Sequence, residues 1–280
     1  MPEPFTLLAE DLDHPEGVAW SPVAGCLYAG GEAGQIYAVS LDGAVEQVGD
    51  TGGELLGVTL DGAGRVYACD CGRCEVVRVD PRTGTVEVYS AGAPGQAMIE
   101  PNYAAFDAGG NLYVTDSGET QEDNGCILRV APGGETVVWS RDLPRYPNGC
   151  CLSADGQALL VAESYLPGVS RIPILPDGSA GRPELVVELP GTVPDGLALD
   201  DEGNLYVACY RPDRIYRVSP DGRAEILADD PQGIALNAPT NMAFAGPDLR
   251  RMVVANVGEV HLLVGDVGAA GLPLHYPEVG

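Results

Sequence analysis

Six positions along the chain share one phase of an internal repeat, and five of them carry an oxygen donor: Glu16, Asn102, Asn148, Asp195 and Asn241, with Leu56 the exception. Two are carboxylates and three are amides; no histidine or cysteine stands at this phase. Donor sets made only of oxygen suit hard cations such as Ca2+, Mg2+ or Mn2+. Two carboxylates crowded together would repel, and one would take up a proton; a bound cation removes that penalty. Four of the six follow a proline (Pro15, Pro101, Pro147 and Pro194), whose fixed φ stiffens the approach of the chain. One Asn or Asp after a proline is ordinary turn chemistry, because these side chains bond nearby backbone groups. Recurrence at one phase is what makes the set a candidate metal site.

The recurrence is carried by a hairpin. In VPDGLALDDEGNLYVACY, residues 193–210, the pattern predicts a buried strand from 196 to 199, a turn over Asp200-Asp201-Glu202-Gly203-Asn204, and a second strand from 205 to 208. Short apolar runs broken by an Asp/Gly/Asn cluster are the signal for such a unit. Counterparts begin at Gly17, Gly57, Tyr103, Gly149 and Met242. The residues just before these strands are 16, 56, 102, 148, 195 and 241, spaced by 40, 46, 46, 47 and 46. Each unit continues with a third strand ending in a tight turn (VVRVDPRTG, RIYRVSPDG) and a fourth such as TVEVYS or AEILADD. Four short strands in a period of this length mark a propeller blade.

The expected fold is therefore all-β: a six-bladed β-propeller with four antiparallel strands per blade, in one domain over residues 1–280. The sixth unit has its third strand at 259–264, but GAAGLPLHYP after it is a poor fourth strand. The segment FTLLAEDL, residues 5–12, matches the fourth-strand pattern instead. The N-terminal strand is thus expected to close the last blade and remove two open edges. In this topology the short Gly-rich turns share one face. The longer loops, 116–125 and 164–168, and the connections 90–102 and 230–241 share the other, together with the starts of the innermost strands. Function is usually carried on such loops. The second strands end there too, at Asp70, Asp116, Glu163, Cys209 and Asn256, which are candidates for the pocket wall. His14 is a candidate acid/base group.

Composition narrows the partners. Hydrophobic residues make up 45%, and 38 Gly with 23 Pro suit a fold that turns every few residues. Lys+Arg number 15 against 41 Asp+Glu, a net charge of −26. A surface so negative repels phosphate backbones and anionic lipid, so neither nucleic acid nor a membrane surface is an expected partner. The N-terminus has no basic n-region and no apolar h-region, and no run is long enough to span a bilayer. With eight Cys and no export signal, reduced thiols and a cytoplasmic location are expected. Cys69, Cys71 and Cys74 form a C-x-C-x-x-C, but no fourth ligand follows at zinc spacing, and a structural role is expected.

HPEGVAW, PNYAAFDAGGNLYVTDSG, PNGCCLSADGQALLVAES, VPDGLALDDEGNLYVACY and PTNMAFAGPD together resemble the senescence-marker-protein (regucalcin)/gluconolactonase/luciferin-regenerating-enzyme-like family over nearly the whole chain. The resemblance implies a six-bladed propeller with one catalytic divalent metal in the channel, hydrolysing lactones or related esters. Glu16, Asn148 and Asp195 match the family's metal ligands, and Asp195 also matches its general base. Asn102 matches a position that contacts substrate or completes the metal shell. The implied cofactor is one divalent cation, Ca2+ ahead of Mg2+, Mn2+, Zn2+ or Fe2+.

Glu100 replaces the Arg that binds substrate hydroxyls in animal-type sugar lactonases. A sugar aldonolactone is therefore not assumed, and Met98, Ile99 and Tyr103 beside Glu100 suggest a less polar substrate. Glu100, Asn102, Tyr103, Asp116 and Asn241 are the expected substrate contacts. The expected partner is a small-molecule lactone or ester, with the protein a monomer or small homo-oligomer. The alternatives are a phosphotriesterase or arylesterase on the same metal, a non-catalytic calcium- or protein-binding propeller, and a strictosidine-synthase-like propeller. The trio Glu16/Asn148/Asp195 argues against the last.

Overall fold

The computed structural model of the chain describes residues 4–280. Among these no helix forms, and so none is long and apolar enough to cross a membrane. Six four-stranded antiparallel sheets follow one another around a ring, as the repeat predicts. Their innermost strands are Val18–Ser21, Leu55–Leu60, Pro101–Phe106, Pro147–Leu152, Val193–Leu199 and Pro239–Ala245. The last sheet takes its outermost strand from the N-terminus: Phe5–Ala9 pairs antiparallel with Leu262–Gly265, Phe5 opposite Gly265. The third strand of this blade is shorter than the expected 259–264, because Glu259 N–H closes a turn on the Asn256 carbonyl. A two-stranded hairpin, Gly92–Ala93 with Gln96–Ala97, is added in the connection between the second and third blades.

The core lies between blades rather than in one central mass. Tyr67 of the second blade meets Phe106 of the third edge to face, with ring centroids 5.0 Å apart; Tyr206 and Phe244 repeat the contact between the fifth and sixth blades at 5.5 Å. The turns at the ends of the inner strands of the second, third and fifth blades are pinned by their own aspartates, Asp61, Asp107 and Asp200. Asp200 accepts from the Asn204 N–H at 2.8 Å and from the Tyr206 hydroxyl at 3.1 Å, so turn and core are fixed by one side chain.

Where the inner strands begin, the ladder breaks. In the second blade Leu55 pairs with Asp70 and Val58 with Ala68, leaving Leu56 and Gly57 between them. The same irregularity leaves Asn148-Gly149 between Pro147 and Cys150, Asp195-Gly196 between Pro194 and Leu197, and Thr240-Asn241 between Pro239 and Met242. In the third blade Asn102 falls at a shift between Pro101 and Tyr103. A bulge bends its strand and re-aims a side chain that regular pleating would send into a blade interface. A residue expected to lie just before the strand thus lies inside it, at its irregular end. Glycine follows the bulge for a steric reason: a Cβ on Gly149 would lie 2.3 Å from the Asp195 carbonyl oxygen, and one on Gly196 2.4 Å from that of Thr240.

Closure by the N-terminal strand gives a direct test. Phe5 is 1% exposed, and a Cβ on Gly265 would come within 2.8 Å of its ring, so the partner strand is shaped to admit it. Phe5→Ala should cost about 3–5 kcal/mol, a fall in melting midpoint of roughly 6–20 °C for a domain of this size. Deleting residues 1–9 should lose most of the stability, and a deletion variant that melts with the intact chain would refute closure by this strand.

Candidate functional site

At the mouth where the inner strands begin lies a cavity of about 610 Å³. Its innermost tier is one residue from each blade: Glu16, Leu56, Asn102, Asn148, Asp195 and Thr240. The sixth member is Thr240 rather than the expected Asn241. Register with the neighbouring strand puts Thr240 where Asn148 and Asp195 stand in their blades, one residue after the proline. Asn241 falls in the slot of the glycines, and its Oδ1 accepts from the Met242 N–H at 2.8 Å.

The tier is wired from blade to blade. The Ser164 hydroxyl donates to the Pro194 carbonyl at 2.7 Å and accepts from Asn148 Nδ2 at 3.2 Å. Ser117 Oγ donates to the Pro147 carbonyl at 2.9 Å, and Thr240 Oγ1 to the Glu16 carbonyl at 2.9 Å. Each bond fixes the proline or ring residue of the adjacent blade. Because Ser164 takes the Asn148 nitrogen, the amide oxygen is turned away from it. That Oδ1 is buried and has no partner among the described residues. A buried polar atom without a partner is unusual enough to need a reason.

Electrostatics give the same indication. Asp195 is 6% exposed, and burial pushes its carboxyl well above the ordinary range, opposed only by the adjoining Asn148 side chain. Glu16 keeps some contact with the cavity, yet burial, and then the charges of Asp195, Glu54 and Glu100, drive it up as well. Two oxygen anions held where both resist ionisation, beside an amide oxygen with nothing to accept, fit a hard divalent cation. The donors also fit in kind, since Glu16, Asn148, Asp195 and Asn102 offer oxygen alone.

A second tier surrounds the first, two residues earlier in the chain: Glu54, Glu100, Tyr146 and Val193 all line the cavity. Sequence reasoning found only Glu100 among these, although the same repeat phase contains the others. Glu100 accepts a hydrogen bond from the Tyr146 hydroxyl, and its carboxyl is raised by burial, an effect that this bond opposes. Tyr146 packs against Tyr165 with centroids 4.8 Å apart. Ile99, Tyr210 and Arg211 complete the rim, with Arg211 paired to Asp213 at 2.5 Å.

Other expected residues face elsewhere. Asp116 is buried and accepts from the Ile99 and Glu100 N–H groups, the latter at 2.8 Å, so it holds the backbone of the second tier and does not line the cavity. Asp70 does the same for Glu54 N–H at 3.1 Å. The cavity is lined instead by the residues one step further along the chain, Cys71, Ser164 and Tyr210; successive strand residues point to opposite faces. Tyr103 reaches the cavity at the opposite mouth, and Met98 is packed in the core.

His14 is not among the lining residues. It bonds Asp13 at 3.0 Å and Glu32 at 3.3 Å in an acidic cluster on the first blade, where Asp13 also accepts from Ala33 N–H and Gln35 Nε2. Cys69 is buried in the core while Cys71 lines the cavity, so the C-x-C-x-x-C does not converge.

Residues 14–257 match the model of the SMP-30/Gluconolactonase/LRE-like region. The gluconolactonase of Zymomonas mobilis is 28% identical over 187 residues, covering 59% of this chain and 51% of its own. Protein strictosidine synthase-like 3 of Arabidopsis thaliana is 30% identical over 178 residues, 58% of this chain and 45% of its own. The chain therefore spans about half the length of the curated relatives it matches. The crystal structure of a calcium-binding protein, regucalcin, from Agrobacterium tumefaciens superimposes with a TM-score of 0.78 at 18% identity, covering 98% of both chains, which shows the fold.

The raised carboxyls make a pH prediction. A carboxyl whose folded-state pKa lies above its unfolded value stabilises the fold while protonated, and that contribution is lost as pH rises through the folded value. With metal removed by chelator, the melting midpoint should fall as pH rises from about 5 toward 8, a window that begins just above the ordinary carboxylate pKa. Saturating Ca2+ should abolish the fall, and Glu16→Gln should reduce it. Scanning fluorimetry across this range checks it; a flat profile in the chelated protein would count against the paired burial of Glu16 and Asp195.

Proposed function

The chain belongs to the SMP-30/gluconolactonase/LRE-like family, and from that premise we propose that it is a divalent-cation-dependent hydrolase that opens small-molecule lactones or related esters. Relatives named gluconolactonase support a hydrolase role. The single observation that carries the reading is the unpartnered Asn148 Oδ1 in a cavity shared with the buried carboxyls of Glu16 and Asp195. Glu16, Asn148 and Asp195 would hold the cation, with Asn102 beside them. Ca2+ is the first expectation, on the oxygen-only donors and on a structural neighbour described as calcium-binding. A divalent cation bound here supplies Lewis-acid polarisation of a carbonyl and makes water more acidic.

The chain's own groups do the rest. Asp195 accepts the proton of the attacking water as general base. Ser164 holds Asn148 by its nitrogen and the Asp195 strand by the Pro194 carbonyl, so both face inward without rearrangement. Asn102 orients the substrate with its amide. The second tier sets preference: Glu100 is engaged by Tyr146, and Tyr165, Ile99 and Tyr210 give an apolar flank. That wall favours a lactone with an apolar substituent over a polyhydroxylated aldonolactone. All eight cysteines are free thiols, which suits the reducing cytoplasm, and we take residues 1–280 as one domain.

Asp195→Asn separates ligand from base. It keeps an oxygen donor and the side-chain shape while removing the proton acceptor. Cation binding should weaken yet be recovered with excess metal, whereas lactone hydrolysis should stay down by at least about a hundredfold. The measurement is a metal titration of wild type and variant against alkyl-substituted lactones, an aldonolactone and a phosphotriester, each with and without chelator. Full recovery of the variant by metal would make Asp195 a ligand only. Cleavage of the phosphotriester alone, or of nothing, would reject the lactonase reading.

A further inference from the structure

The opposite mouth of the ring holds a second cavity, of about 640 Å³, which the proposed chemistry does not use. It begins where the inner strands end, between Trp20, Phe106, Leu152, Leu199 and Phe244, and it is crossed by Leu272–Tyr276 of the C-terminal segment. In a chain of net charge −26 its lining contains no Asp, Glu, Lys or Arg. The polar groups that reach it are few: Thr59, Ser153, His275 and the two tyrosines Tyr103 and Tyr276, the latter already donating to the Trp20 carbonyl at 2.9 Å.

The segment GLPLHYP, which makes no strand of the sixth blade, acts here as a strap. At one end Gly271 N–H donates to the Leu249 carbonyl at 2.8 Å and Leu272 N–H to the Leu199 carbonyl at 2.9 Å. At the other, the Tyr276 hydroxyl bonds Trp20 and the Pro277 carbonyl accepts from Gly62 N–H at 2.8 Å. Between these anchors Pro273, Leu274 and His275 make no backbone hydrogen bond to the ring among the described residues, and Leu274 is 52% exposed. The strap is fixed at both ends and free over the cavity.

Protein interiors are close-packed, with few voids larger than a water molecule, and apolar cavities that do persist take apolar guests in preference to water. A volume in the range of small-molecule pockets, apolar walls and a few polar groups are the marks of a ligand site. We infer that this mouth is a second small-molecule site, for a neutral, largely apolar compound, entered past the strap formed by residues 272–276. The absence of any Asp, Glu, Lys or Arg decides the class, because a charged ligand would be desolvated there with no carboxylate, ammonium or guanidinium to pair with. The site is distinct from the carboxylate-lined cavity, and it stands whether or not the chain is a lactonase.

The probe is the neutral fluorophore N-phenyl-1-naphthylamine, titrated into the 280-residue chain in Ca2+. Saturable binding of one equivalent is expected, with fluorescence also excited through Trp20, whose indole lines the cavity. Its anionic analogue, 1-anilinonaphthalene-8-sulfonate, should bind at least tenfold more weakly. Trp20→Phe should remove most of the energy transfer while leaving direct-excitation binding. Ala105→Phe, at a half-buried lining position, should weaken binding at least tenfold with an unchanged melting midpoint. If that variant fails to fold, the Trp20 and anion comparisons decide alone. Non-saturable uptake, equal binding of the sulfonate, or displacement of the probe by chelator or by Asp195→Asn would overturn the assignment.

Discussion

The structure depends on the close approach of six backbones around one axis. Five of the six inner strands begin with a bulge, and in four blades a glycine at the start of the inner strand lies against the carbonyl of the next blade: Gly17 on Leu56, Gly57 on Asn102, Gly149 on Asp195, Gly196 on Thr240. No side chain fits in four of these places. That contact sets the diameter of the ring, and the diameter decides how near Glu16 lies to Asp195 and how little water reaches either. Tyr103 and Asn241 occupy the remaining two described slots, and both point away from the carboxylate cavity.

Such a ring is costly to build. Taking a carboxylate out of water costs roughly several kcal/mol even after the surroundings relax, against a total stability of about 5–15 kcal/mol for a typical domain. The chain responds by anchoring everything around the two acids. Ser117, Ser164 and Thr240 each donate across a blade boundary, and Asp70 and Asp116 hold the incoming backbone of the second tier. These bonds fix the backbone from which the donors project. The unpartnered Asn148 oxygen is the residue of that arrangement, an acceptor left for a cation to use.

The two ends of the channel differ in kind although the same six strands build both. Their starts carry carboxylates, amides and a tyrosine wall, whereas their ends carry Trp20, Phe106, Leu152 and Phe244 beneath the C-terminal strap. The alternation follows from direction: every inner strand runs the same way along the axis, so position along the repeat becomes position along the channel.

The amino-acid sequence by itself determined the blade count, the strand order and the closure by the N-terminal strand, expected over residues 5–12 and formed over Phe5–Ala9, because each is a matter of period and pattern. It also determined that Glu16, Asn102, Asn148 and Asp195 share a phase. It could not place a residue to within one step at the bulges, since the pleat has a period of two and one inserted residue reverses every side chain after it. That is why Thr240 rather than Asn241 completes the inner tier; alternation along the second strands, one step on, likewise puts Cys71, Ser164 and Tyr210 on the wall in place of Asp70, Glu163 and Cys209. Tyr103 shows the same limit, a ring sent to the far mouth by the slot it occupies. Tyr146 and Glu54 were legible in principle, two residues before the donors, but only packing revealed that this phase also faces the cavity. Which Asn148 atom faces inward rests on a hydrogen bond from Nδ2 to Ser164, 16 residues away in the chain, and such a contact exists only once the first two strands of the fourth blade have paired.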